Sequence, residues 1–105
     1  MTNDPKLLVI VGPTAAGKSR LAMACAEQLG GEIVSADSMQ VYRGLDIGSA
    51  KPTREDRRRI RHWCIDVVDP TEPFDVIAWL DLADAAIADI TGRGKIPIVC
   101  GGTGF

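Results

Sequence analysis

The sequence predicts an α/β domain built on a doubly wound parallel sheet. Three observations carry that expectation: four short apolar runs, helical-period segments between them, and polar or glycine-rich turns where three of the runs end. Leu7 to Val11 is the first run. The segment from Gly17 to Leu29 follows, with Leu21, Ala22, Ala24, Cys25 and Leu29 on one helical face and Gly30-Gly31 as its stop. Ile33 to Ala36 predicts a second strand ending at Asp37, and a glycine-punctuated loop runs from there through Tyr42, Gly44, Gly48 and Pro52. Thr53 or a neighbour starts a short charged helix, and the β-forming residues of Trp63 to Val68 predict a third strand. Asp75 caps a helix whose stripe of Val76, Leu80, Ala83, Ile87 and Ile90 predicts core packing, with a stop near Gly92 and Gly94. Ile96 to Cys100 is the fourth strand, running into Gly101-Gly-Thr-Gly104.

Composition bounds the reading. With 105 residues, 46% of them hydrophobic and 25% charged, the chain reads as one globular unit with a modest core. Its longest apolar run is far below the ~18 residues of a membrane span and no signal-peptide layout precedes it, so a cytoplasmic protein is expected. Cys25, Cys64 and Cys100 are odd in number, widely spaced and set in apolar segments, which fits reduced thiols and argues against disulfides or a zinc site. A net charge of −2 excludes nucleic-acid binding by global charge, so any such contact is local.

The most specific local signal is Gly12-Pro13-Thr14-Ala15-Ala16-Gly17-Lys18-Ser19, which satisfies every fixed position of G-x-x-x-x-G-K-[ST] directly after a strand and before a helix. Glycines let the backbone curl and its N–H groups surround an anion at the helix N-terminus. Lys18 adds a point charge and Ser19 a hydroxyl for Mg²⁺. The expected architecture is therefore a P-loop NTPase-like three-layer fold, with ligands at the carboxyl ends of the strands. That rule brings the loop, Asp37 and Gly101 to Gly104 to one crevice and sets Asp37 directly beside the phosphate loop. Asp66 and Asp69, flanking the third strand, read as turn or capping residues. Tyr42, Trp63 and Trp79 read as packing residues, and His62, the single histidine, as structural. Arg54, Arg57, Arg58, Arg59 and Arg61 fit either an RNA-phosphate grip or a solvated helix face.

The block Asp37-Ser-Met-Gln-Val-Tyr-Arg-Gly-Leu-Asp-Ile-Gly-Ser-Ala-Lys-Pro52 resembles the signature of tRNA dimethylallyltransferases. The phosphate loop, Ile65 to Phe74, and Pro97 to Gly104 are similar to that family in the same order. The resemblance implies that the loop holds the pyrophosphate of dimethylallyl diphosphate, and that the prenyl group goes to the N6 of an adenine beside the anticodon of tRNA. It implies Asp37 as the base, and contacts to the nucleotide from Asp37, Ser38, Met39, Gln40 and Thr103. Ser49 stands where the family commonly has threonine, and Trp63 where a second histidine often stands. Members of the family are several times longer, so residues 1–105 are expected to be the amino-terminal part of a prenyltransferase domain, without the rest of the sheet, a later arginine or the helical tRNA-gripping region. Two other classes fit the loop alone: a small-molecule kinase using ATP, and a non-catalytic phosphate-binding fragment.

Overall fold

The computed structural model describes residues 7–11, 16–37, 40–44 and 51–101. The elements run β1 (Leu8–Val11), α1 (Ala16–Leu29), β2 (Gly31–Ala36), α2 (Arg54–Arg59), β3 (His62–Trp63), α3 (Val76–Gly92) and β4 (Ile96–Gly101). The strands form one parallel sheet in the order β1-β4-β2-β3, with Val9 beside Val99, Val99 beside Val34, and Val34 beside Trp63.

Alternation along the strands divides the core into two layers, as a period of two requires. Ile33 and Ile98 turn to α1 and pack with Ala22, Ala26 and Ile60. Their neighbours Val34 and Val99 turn to the opposite face and pack with Ala83, Ala86 and Ile90 of α3. The result is the expected helix–sheet–helix sandwich.

Local chemistry explains most boundaries. Gly30, at φ +68°, turns the chain out of α1 into β2. Thr53 Oγ1 accepts the Asp56 N–H, and Asp56 in turn accepts the Thr53 N–H, a reciprocal capping box that starts α2. Asp75 Oδ1 accepts the Ala78 N–H at 2.9 Å to start α3. At the far end of α3, Arg93 grips the buried Glu32 of β2 with two hydrogen bonds of 2.7 and 2.8 Å, and Trp63 Nε1 donates to the same carboxylate at 2.7 Å. The Arg93 hydrogen bonds hold the Glu32 carboxyl below its ordinary range against the opposing effect of burial. Trp79 Nε1 donates to the Ser35 carbonyl at 2.8 Å, and Tyr42 meets Phe74 edge to face, so the aromatic residues do pack.

Two expectations need correction. The third strand is two residues long, because Cys64 and Asp66 take left-handed backbone angles, φ 65° and 57°, that no strand continues through. Val68 returns only as a single bridge to Tyr42. The apolar stripe of α3 is half core: Ala83, Ile87 and Ile90 pack, whereas Val76 and Leu80 are 45% and 46% exposed. The strand order, which sequence patterning leaves open, inserts β4 between β1 and β2.

Candidate active site

The carboxyl ends of β2 and β4 and the first turns of α1 open into a crevice of about 650 Å³. That size suits a small-molecule ligand. Lys18 and Ser19 enter it from the N-terminus of the 14-residue α1, where unpaired N–H groups and the helix dipole favour an anion. Asp37 enters from the end of β2, and Cys100 and Gly101 from the end of β4. Although β4 is inserted between β1 and β2, Lys18, Asp37 and Cys100 line the same crevice. Burial raises the pKa of the Cys100 thiol, while Lys18 pulls it down and Asp37 pushes it up.

Asp37 is half-buried, and its Oδ1 accepts the Gln40 N–H at 3.2 Å. Gln40 Oε1 accepts from Ser35 Oγ at 2.9 Å, so the turn that carries Asp37 is fastened to β2. A turn role and a place in the crevice therefore coexist in Asp37. Gly12, Pro13, Thr14, Ala15, Ser38, Met39 and Thr103 lie outside the described residues, while Ala16 and Gly17 are the first residues of α1.

The opposite wall comes from α2 and its flanks: Thr53, Asp56, Arg59, His62 and Ile65. Sequence patterning does not point to this wall, since α2 is short and charged. Arg59 ties it to α1 through both oxygens of Glu27, at 2.7 and 2.6 Å. Arg57 pairs with Asp66 at 2.8 Å, and Arg61 lies 3.9 Å over the Trp63 ring. Three of the five arginines thus have intramolecular partners, which favours a structural face over a purely RNA-gripping one. His62 Nδ1 donates to the Ile60 carbonyl at 2.8 Å, and burial lowers its pKa, so the imidazole is neutral and structural as expected. Asp69 accepts from the N–H and hydroxyl of Thr71, the turn role read for it. The three cysteines are free. Among the described residues, no group of three His, Cys, Asp or Glu could hold a metal by itself, and no helix is long and apolar enough to cross a membrane.

Two family models match the chain. One, described as isopentenyl transferase, covers residues 5–68, and the other, described as IPP transferase, covers residues 40–105. The chain belongs to the IPP transferase family. Relatives of this IPP transferase chain include the tRNA dimethylallyltransferases of Anaeromyxobacter dehalogenans (strain 2CP-C), 59% identical over 95% of the chain, and of Staphylococcus carnosus (strain TM300), 54% identical over 98%. The chain spans about a third of the length of each, 33% in both cases. Among solved structures it is similar to the tRNA delta(2)-isopentenylpyrophosphate transferase of Staphylococcus epidermidis, with a TM-score of 0.89 and 50% identity, over 95% of this chain and 33% of that one. It is also similar to a eukaryotic dimethylallyltransferase acting on tRNA, with a TM-score of 0.88 and 39% identity, over 93% of this chain and 24% of that one. The P-loop-type fold and the family resemblance read from the phosphate loop and Asp37 to Pro52 are both borne out.

Proposed function

We propose that this crevice holds dimethylallyl diphosphate and supports transfer of its five-carbon group to the N6 of an adenine next to the anticodon in tRNA. The observation that carries the reading is the entry of Asp37 into the same crevice as Lys18 and Ser19. A phosphate-holding helix terminus facing a carboxylate suits a reaction in which pyrophosphate leaves and a weakly basic amine attacks.

The allylic C–O bond breaks with its electron pair going to the pyrophosphate, the N6–C bond forms, and the N6 proton passes to an Asp37 oxygen. Lys18 and the N–H groups at the start of α1 stabilise the charge gathering on the leaving group. Asp37 accepts the N6–H hydrogen bond that orients the amine and then takes the proton. A target adenine turned out of its stack reaches such a crevice. Ser38, Met39, Gln40 and Thr103 are the further nucleotide contacts of this reading. Mg²⁺ fits the donor set: it is commonly held by one or two protein oxygens together with substrate phosphates, and Ser19 supplies a hydroxyl where no carboxylate cluster is needed. When bound, the ion would neutralise phosphate charge. Such a reaction belongs in the cytoplasm, where tRNA is substrate.

Titration of the chain with dimethylallyl diphosphate and, separately, ATP, each with Mg²⁺, tests the proposal. Saturable binding that prefers the allylic diphosphate and is lost in Lys18→Ala is expected. Preference for ATP would replace the prenyl-transfer reading with a kinase one, and binding unaffected by Lys18→Ala would remove the loop from the site.

A further inference from the structure

Asp66 is the hub of a network that none of its sequence neighbours requires. Its carboxylate accepts from Lys51 Nζ at 2.5 Å and from Arg57 Nη1 at 2.8 Å. Its backbone N–H donates to the Gln40 carbonyl at 3.0 Å, and its own carbonyl accepts from Arg43 Nε at 3.1 Å. Lys51, whose side chain is 8% exposed, also donates to the Tyr42 carbonyl at 2.8 Å. Next along the chain, Val67 and Val68 donate to the Val41 carbonyl, and Arg43 donates to that of Val68. The bonds from Gln40, Val41 and Arg43 fasten the segment after β2 to the turn at residues 64–68, Lys51 bridges the two through Tyr42 and Asp66, and Arg57 braces the turn from α2.

That turn is held in an uncommon shape. Cys64 and Asp66 both have positive φ, and Ile65 between them lines the crevice. A backbone of this kind persists only where its surroundings over-determine it, and such sites cluster around function. Here the over-determination comes from two cations on one carboxylate. From Asp66 the line of contacts reaches the crevice in two steps, first to the Gln40 carbonyl and then from the Gln40 N–H to Asp37 Oδ1.

We propose that Asp66, clamped by Lys51 and Arg57, is a positioning residue that sets the orientation of Asp37 through Gln40. The inference rests on Asp37 being the proton acceptor of the proposed function. Asp66 touches neither substrate. It fixes the carbonyl of Gln40, the residue whose own N–H, one peptide earlier, holds one oxygen of Asp37, leaving the carboxylate pre-aimed at the amine. Lys51 and Arg57 act a step further out, by keeping Asp66 in its left-handed conformation.

The decisive variant is Asp66→Asn. Asparagine accepts positive φ as readily as aspartate and keeps the same backbone donor and acceptor, so what is lost is the charge, together with one of the two oxygens that accept from Lys51 and Arg57. The protein for the assay is a chimera in which residues 1–105 replace the matching third of the full-length Bacillus halodurans tRNA isopentenylpyrophosphate transferase, a similar solved structure. Single-turnover prenyl transfer to tRNA, a separate Kd for dimethylallyl diphosphate, and amide exchange at Gln40 are measured. The expected result is a kcat loss of about 10- to 100-fold with an unchanged diphosphate Kd and faster Gln40 exchange. Lys51→Arg should retain most of kcat and Lys51→Met should lose it.

Asp66→Asn transferring at the wild-type rate, while Asp37→Ala is impaired, overturns the positioning role and leaves the proposed function standing. If Asp37→Ala itself transfers normally, the proposed function has failed instead. Should Asp66→Asn not fold, the Lys51 pair decides: equal kcat in Arg and Met variants overturns the inference, and a loss confined to Met, with diphosphate Kd intact, supports it.

Discussion

Replacing Gly101 with alanine tests how the sheet sets the geometry of the crevice. Gly101 ends β4 against Ala36, the last residue of β2, and Asp37 follows directly. A Cβ at Gly101 would lie 2.6 Å from the Ala36 Cβ and 2.7 Å from the Ala36 carbonyl oxygen. Carbon atoms rest at about 3.5–4.0 Å, so the two strand ends must part by roughly 1 Å. Overpacking of this kind costs about 1–3 kcal/mol. For a chain of this size each kcal/mol moves Tm by about 4–8 °C, so a fall of roughly 4–24 °C is expected. The same displacement moves Asp37 relative to the start of α1, and an error of about 1 Å in a reacting constellation is worth about 100-fold in rate. Circular dichroism melting measures the first effect and prenyl transfer by the chimera the second. A Tm within about 2 °C of wild type, with transfer unchanged, would refute the argument that close approach of β2 and β4 sets the site.

The two halves of α3 should respond differently to truncation. Ile90→Ala, at a side chain with 0% exposure, should cost about 2–5 kcal/mol in urea unfolding, and Leu80→Ala, 46% exposed, well under half as much; equal costs would contradict the division of the stripe. Stability should also fall in acid. The folded-state pKa of Glu32 is depressed by its Arg93 hydrogen bonds, and that of Asp66 is depressed because its Lys51 and Arg57 bonds outweigh burial. Groups depressed below their unfolded values of about 4.3 and 3.9 contribute fully above those values and lose the contribution as pH falls through the folded ones. Urea midpoints should therefore drop below about pH 4, and more shallowly in Glu32→Gln than in wild type; identical slopes would count against the pair.

What the sequence made legible was mostly local. The glycine stop after Leu29, the caps at Thr53 and Asp75, and the helix that carries Lys18 and Ser19 depend on residues close in sequence, and the structure reproduces them. The convergence of Lys18, Asp37 and Gly101 followed from a topological rule, that ligands gather at the carboxyl ends of parallel strands. The misses came from partners far along the chain. Valines and isoleucine around residues 65–68 favour a strand, but Cys64 and Asp66 take left-handed angles in a turn whose Asp66 carboxylate bonds Lys51, fifteen residues earlier. Periodicity placed Val76 and Leu80 on one face of α3 without showing that no described element covers them. Strand order was hidden for a similar reason, because the insertion of β4 between β1 and β2 is a property of pairing and not of any segment. The crevice wall from α2 is held by Arg59 to Glu27, 32 residues apart, which no short window contains.

The central claim is that Asp37 takes the proton at a site where this chain holds an allylic diphosphate. Its most direct test is single-turnover transfer from dimethylallyl diphosphate to tRNA by the chimera, comparing wild type with Asp37→Ala at saturating donor. The account predicts N6-prenylated adenine from wild type and a loss of about 10²- to 10⁴-fold in Asp37→Ala, with the diphosphate Kd unchanged. Equal transfer rates in the two proteins would contradict it.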